Sequence, residues 1–338
     1  MGGTAVPGSG PPEPSAPSAP SAPPAPPPVR RPPSRARRFV GQRLVRARRG
    51  VPAREHLHAL GARDRFRRSR RPVLRWIKGD GRDDAVTRAA LAQATRLFGD
   101  TVDYCLCTVD LSRRRAAEVA AWATRPVHWW PVRPGDHAGL ASALRRAGCP
   151  RDDFGYWWKW FPARVRPDAP EWILDGDMVV VDRPAWFDAW AAGTDPVRVA
   201  QSPGAPLEHY GEYAAQCDRD LMFYSGLVSL PPGVDLGAAL LDVLRHQPLR
   251  PGHDGRRNMS EQGVVAAAAG ALGAVPIPLH EFPFAVAGHA EITFGPTGPV
   301  GPVWGYHFGN AFRGPNEWFD RLTRGGVVFS PDDDRDRR

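Results

Sequence analysis

The sequence predicts an α/β fold: a mainly parallel sheet with helices on both faces. Three observations predict it. Strand-like and helix-like stretches alternate from Pro72 to Gly148, an apolar run at residues 171–174 ends in two aspartates one residue apart, and a further apolar strand follows at 221–230. Such alternation builds parallel strands joined by crossover helices. In sheets of this kind ligands bind beyond the carboxyl ends of the strands.

Residues 73–78 read as the first strand, stopped by Gly79-Asp80-Gly81. Helical spacing of Val86, Ala90, Ala94 and Leu97 marks a helix over 84–98, closed by Gly99. A strand over 102–109, a helix over 114–123, a strand over 127–132 and a helix over 139–147 continue the alternation. Residues 154–161 are dense in aromatics and have helical length, and core packing accounts for most of them. Lys159 stands apart, because it is one of only two lysines beside Lys78, and it is placed to reach a phosphate or an acceptor. Beyond a short strand at 198–201, the strand at 221–230 is broken by Ser225-Gly226, where a glycine marks a bulge or a close ligand approach. Helices follow over 236–244 and 264–272, with Ser260 as the expected N-cap of the second.

Asp175 and Asp177 carry the most chemistry. Their spacing puts two carboxylates on one face of an extended backbone, with Gly176 between them. A solvated turn accounts for an isolated Asp-x-Asp, but flanking apolar runs on both sides argue for a strand end within the fold. Unpaired carboxylates are costly to bury, so this pair should face water, a cation or a ligand. Hard divalent ions such as Mn²⁺ and Mg²⁺ take oxygen ligands of this kind, together with substrate phosphates. Lys78, the last residue of the first strand, and Asp80, just after it, stand at the same end of the sheet.

The net charge of +9 is unevenly spread. Residues 30–78 hold 18 basic and 2 acidic residues, whereas the chain from Gly79 onward is net −6. The sequence therefore divides into an arm over 1–71 and a catalytic-sized domain over 72–330. The first part of the arm is Pro, Ala and Ser of low complexity and is expected to be disordered. Its Arg-rich remainder, with an apolar stripe of Phe39, Val40, Leu44 and Val45, suits an anionic surface, either membrane or nucleic acid. An arginine-rich, lysine-poor composition also fits GC-rich coding, in which case the arm is merely solvated. The opening residues have no apolar core of a secretory signal, and no apolar run approaches the ~20 residues of a membrane span. The expected location is cytoplasmic, at most peripheral on the inner face of a membrane. Cys105, Cys107, Cys149 and Cys217 lack zinc or disulfide-framework spacing and read as small buried hydrophobes.

In order along the chain, Leu174-Asp175-Gly176-Asp177 with Met178-Val179-Val180-Val181, then Tyr224-Ser225-Gly226, Glu261-Gln262 and His307-Phe308 form a series. It resembles the GT-A glycosyltransferases that include glycogenin and the bacterial lipopolysaccharide galactosyl- and glucosyltransferases. In that family an Asn-Ser-Gly strand, an Asp-Gln pair and a late His-Phe segment follow the Asp-x-Asp. Here Tyr224 stands for the asparagine, Glu261 for the aspartate, and Arg313 lies at the offset of a lysine. The resemblance implies a Rossmann-like nucleotide-diphospho-sugar transferase fold and a hexosyltransferase. It implies a divalent metal held by Asp175, Asp177 and His307. Glu261 and Gln262 would lie near the sugar, and Ser225, Gly226 and Arg313 near the donor. The partners implied are a nucleotide-sugar and a glycan, lipid-linked or protein acceptor. A metal-dependent nucleotidyltransferase would share the sheet and the carboxylate pair, but Lys78-Gly79-Asp80-Gly81 is too short for its phosphate loop. A nucleic-acid-binding protein acting through the arm is the third class, with no recognisable binding module beside it.

Overall fold

The computed structural model describes residues 57–58, 63–79, 85–150, 154–201, 207–217, 223–255, 259–285, 302–309 and 317–328. Residues 1–56, to which the sequence reading assigns the disordered segment and most of the basic arm, lie outside the described residues. So do Asp80 and Arg313. Everything described belongs to the unit Val51–Arg338.

The first half contains β1 (Leu57–His58), α1 (Arg63–Arg68), β2 (Val73–Lys78), α2 (Ala85–Phe98), β3 (Asp103–Thr108), α3 (Arg113–Ala120), β4 (Val127–Pro131) and α4 (Ala138–Arg146). After a 3-10 turn at Gly155–Trp160 come β5 (Glu171–Asp175), β6 (Met178–Val180), α5 (Phe187–Ala191), β7 (Arg198–Gln201) and β8 (Phe223–Leu230). The last elements are α6 (Leu236–His246), α7 (Ser260–Ala271), β9 (Val275–Ile277), β10 (Gly305–His307) and α8 (Glu317–Arg324).

Among the described residues eight strands form one sheet, in the order β1-β4-β3-β2-β5-β8-β7-β9. Only β8 runs against the others, antiparallel to both β5 and β7. The pleat sends successive side chains to opposite faces. Leu74, Trp76, Tyr104, Leu106, Trp172 and Leu174 join α2 and α3 in one apolar core. Val73, Cys105, Cys107 and Ile173 join α4, α6 and α7 in the other. The expected α/β architecture is therefore present, with helices on both faces. All four cysteines are buried and free, with the Sγ atoms of Cys105 and Cys107 4.0 Å apart on one strand.

The structure departs from the sequence expectation in three places. Described elements lie inside the stretch read as arm: β1 pairs with β4, and Phe66 of α1 is buried against His128. There the Arg166 guanidinium caps the Phe66 ring at 3.9 Å, and its Nε donates to the Phe66 carbonyl at 2.8 Å. The apolar run after Asp177 forms β6, which pairs with β10 in a separate two-stranded sheet. The aromatic stretch forms a 3-10 turn rather than an α-helix. Helix α7 starts at Ser260 itself, whose hydroxyl donates to the Glu212 carboxylate instead of capping the helix.

Candidate active site

Strand β5 lies between β2 and β8, with Asp175 opposite Ile77. The turn after it is tightly held. Thr87 Oγ1 on α2 donates to the Gly176 carbonyl at 2.7 Å. A Cβ on Gly176 would stand 2.7 Å from the Ile77 carbonyl oxygen, so no side chain fits between the two aspartates. The Lys78 stem passes the same spot, 3.7 Å from that Cβ position, and its side chain is buried.

Pairing of β6 with β10 supplies the third group. His307 lies opposite Met178, and Phe308 N–H donates to the Asp177 carbonyl at 2.9 Å. His307 Nε2 is thereby set 3.1 Å from Asp177 Oδ1. Asp175, Asp177 and His307 each offer a ligand atom, all within 4.8 Å of one another. Two carboxylate oxygens and an imidazole nitrogen suit Mn²⁺ or Mg²⁺, with coordination positions left for water or phosphate oxygens.

Behind this triad runs a chain of buried polar groups. Lys159 Nζ lies 2.7 Å from Asp175 Oδ1 and donates to Ser225 O at 3.0 Å and to Ser225 Oγ at 3.3 Å. Ser225 Oγ in turn donates to Glu261 Oε2 at 3.2 Å, and Trp160 Nε1 donates to Glu261 Oε1 at 2.6 Å. An ammonium carries three N–H groups, and these contacts occupy all of them. Burial alone would depress the Lys159 pKa, but the Asp175 and Glu261 carboxylates raise it above the ordinary lysine value. Burial raises Glu261, against the pull of Lys159 and the Trp160 N–H. Asp175 is likewise raised, by burial first, with Lys159 opposing.

The structure thus brings together Asp175, Asp177, His307, Lys159, Ser225 and Glu261 from five separate stretches of chain. Gln262 is buried in the first turn of α7 beside Glu261. Gly226 contributes backbone only: a Cβ there would meet Met178 Cε at 2.3 Å and the Tyr224 ring at 2.5 Å. Sequence reasoning missed Trp160 and Thr87 as parts of the site. It noted Tyr224 only as a replacement. It gave no sign of Phe284, which lies edge-on to His307 at 4.4 Å in an irregular segment.

No family model matches the sequence, and no curated protein matches it. Solved structures with a similar backbone include the galactosyltransferase LgtC in complex with donor and acceptor sugar analogues. That pair is 14% identical, covers 79% of this chain and 100% of the other, and has a TM-score of 0.45. Mouse xyloside xylosyltransferase 1 in its apo form is 12% identical over 71% of this chain and 98% of its own, with a TM-score of 0.44. The bifunctional glycosyltransferase WbbM is 13% identical over 78% of this chain and 50% of its own, also at 0.44. Likeness of this degree leaves the functional reading to the site's own side chains.

Proposed function

We propose that the chain is a metal-dependent glycosyltransferase of the GT-A type that moves a hexosyl group from a nucleotide-diphosphate sugar to a glycan, lipid-linked or protein acceptor. The observation that carries this reading is the convergence of Asp175, Asp177 and His307 within 4.8 Å at the carboxyl end of a central strand. Asp175 and Asp177 would hold the ion, with His307 as third ligand. When bound, a divalent ion supplies positive charge for the diphosphate that leaves as the bond to the anomeric carbon breaks.

The remaining roles belong to the chain itself. Lys159 neutralises and aims Asp175, so that the other carboxylate oxygen faces the donor. Ser225 and Gly226 would lie near the donor. Glu261 and Gln262 line the sugar side, with Glu261 held in place by Trp160 and Ser225. Lys78, with Asp80 and Arg313, would meet the nucleotide and phosphates. The Arg-rich arm would hold the enzyme to anionic lipid at the inner face of a membrane. Among the described residues no helix is long and apolar enough to cross one.

Calorimetry with UDP or GDP tests the reading. Binding should need Mn²⁺ and vanish with EDTA. Asp177→Asn should abolish both Mn²⁺-dependent nucleotide binding and turnover of a nucleotide-sugar, while the melting temperature stays near wild type. An Asp177→Asn chain that keeps full activity would overturn the metal role. The nucleotidyltransferase alternative would instead show pyrophosphate release from a nucleoside triphosphate, which a standard enzymatic assay detects.

A further inference from the structure

The backbone of His307 is fixed on both sides. Its N–H donates to the Pro283 carbonyl at 3.0 Å, and its carbonyl accepts from Ala285 N–H at 2.7 Å. The imidazole ring itself still has two choices, its rotation and the nitrogen that carries the proton. Tyr224, on β8, meets that ring. Its hydroxyl lies within hydrogen-bond reach of both ring nitrogens, Nδ1 and, at 2.6 Å, Nε2, with the two ring centroids 4.7 Å apart. Phe284 packs edge-on against both, 5.3 Å from Tyr224 and 4.4 Å from His307. The slot for the phenol exists because residue 226 is glycine, whose Cβ would stand 2.5 Å from Tyr224 Cε1.

We propose that Tyr224 is the positioning residue of the Asp175–Asp177–His307 centre, its hydroxyl selecting the His307 tautomer and ring orientation that turn a nitrogen lone pair towards the carboxylates. The proposal rests on the metal reading above. Its logic is proton placement. A carboxylate only accepts hydrogen bonds, so the His307 nitrogen facing Asp177 carries either a proton or an ion. For it to take an ion, the ring proton must sit on the other nitrogen, and that N–H needs an acceptor. The Tyr224 oxygen, within reach of Nδ1, would be that acceptor once an ion takes Nε2. Partners of this kind around a metal-bound histidine fix its tautomer, and losing one typically weakens metal affinity by about 10–100-fold.

The test is Mn²⁺ binding to the full chain, followed by the loss of the free-ion electron paramagnetic resonance signal. Tyr224→Phe removes one hydroxyl and keeps the ring. Its Mn²⁺ dissociation constant should rise by about 10–100-fold, and nucleotide binding should return to the wild-type level at saturating Mn²⁺. The melting temperature without metal should stay near wild type, whereas a loss that merely reflected loosened packing would lower it. In a His307→Ala background the same change should add nothing, because the hydroxyl acts through the imidazole. Tyr224→Phe binding within twofold of wild type overturns the proposal, as does an undiminished loss in the His307→Ala background. If wild type binds and Tyr224→Phe binds equally well, only this inference falls. If wild type takes up no Mn²⁺, the metal reading falls with it.

Discussion

Glu171 is fully buried at the opposite end of β5 from the aspartates. Its Oε1 pairs with Arg75 Nε at 2.8 Å, and its carboxylate accepts from Val165 N–H at 3.0 Å and from Arg166 N–H at 3.1 Å. The Arg75 guanidinium also donates to the Pro162 carbonyl at 2.6 Å, so this one pair ties β2 and β5 to the segment that follows the aromatic turn. Breaking a buried pair leaves an uncompensated charge, which costs about 3–5 kcal/mol. Glu171→Ala should therefore lower unfolding stability by that amount in urea titration, far more than Asp177→Asn. His253 makes a second residue-scale prediction. It is buried and accepts from Trp157 Nε1 at 2.8 Å, and burial holds its pKa below the usual histidine value, against Glu212 and Asp254. Protonation therefore favours the unfolded chain. The His253 contribution is complete above about pH 6.5, the unfolded value, and is lost as pH falls from there through the lower folded pKa. Between pH 7.5 and 5.5 the wild-type melting temperature should fall more than that of His253→Asn, whose amide oxygen can accept at any pH. Equal falls would remove His253 from the account.

Among the described elements, α7 approaches its neighbour very closely. A Cβ on Gly263 would stand 2.1 Å from the Tyr210 carbonyl oxygen, so the first turn of the helix lies directly on the 3-10 segment Leu207–Gln216. Gly263→Ala must push that turn away and carry Glu261 and Gln262 with it. Overpacking of this kind costs about 1–3 kcal/mol, and the denaturation midpoint should fall accordingly. Nucleotide-sugar turnover should drop further than the stability loss alone explains. The same helix shows what the sequence could and could not reveal. Its apolar body was legible from spacing, but Ser260 read as a cap because its partner, Glu212, lies 48 residues away. β1 and β10, of two and three residues, are too short for any periodicity to betray them. β2, β3 and β5 were legible because both faces of each are buried, which leaves long apolar runs. Asp175 and Asp177 stood out for the opposite reason: carboxylates interrupt such a run. Lys159 was conspicuous by type, yet its engagement with Asp175 and Ser225 arises only when the sheet assembles.

Across the whole molecule, the position of β1 and α1 decides how the arm can be tested. Removing residues 1–71 would delete β1 and α1 and expose the surface on which Phe66 sits. That truncation should lower the melting temperature, whereas removal of residues 1–50 should leave it unchanged. The shorter truncation is thus the clean probe of the arm, and it takes away nine arginines. At about 1 kcal/mol per arginine near an anionic surface, full-length protein should co-sediment with anionic liposomes, less so in high salt, and the truncated chain should not. Equal sedimentation of the two would leave the arm without that role. A last consequence lies in chain connectivity. Asp177 and His307 are 130 residues apart in sequence, and the segment between them contains β8 and the helices α6 and α7. An ion gripped by both would staple this span into a closed loop, and only the folded chain presents the grip. Uptake of the ion should therefore act as a reversible crosslink. Added Mn²⁺ should raise the melting temperature in step with its concentration, and amide exchange should slow across the stapled span and not only beside the aspartates.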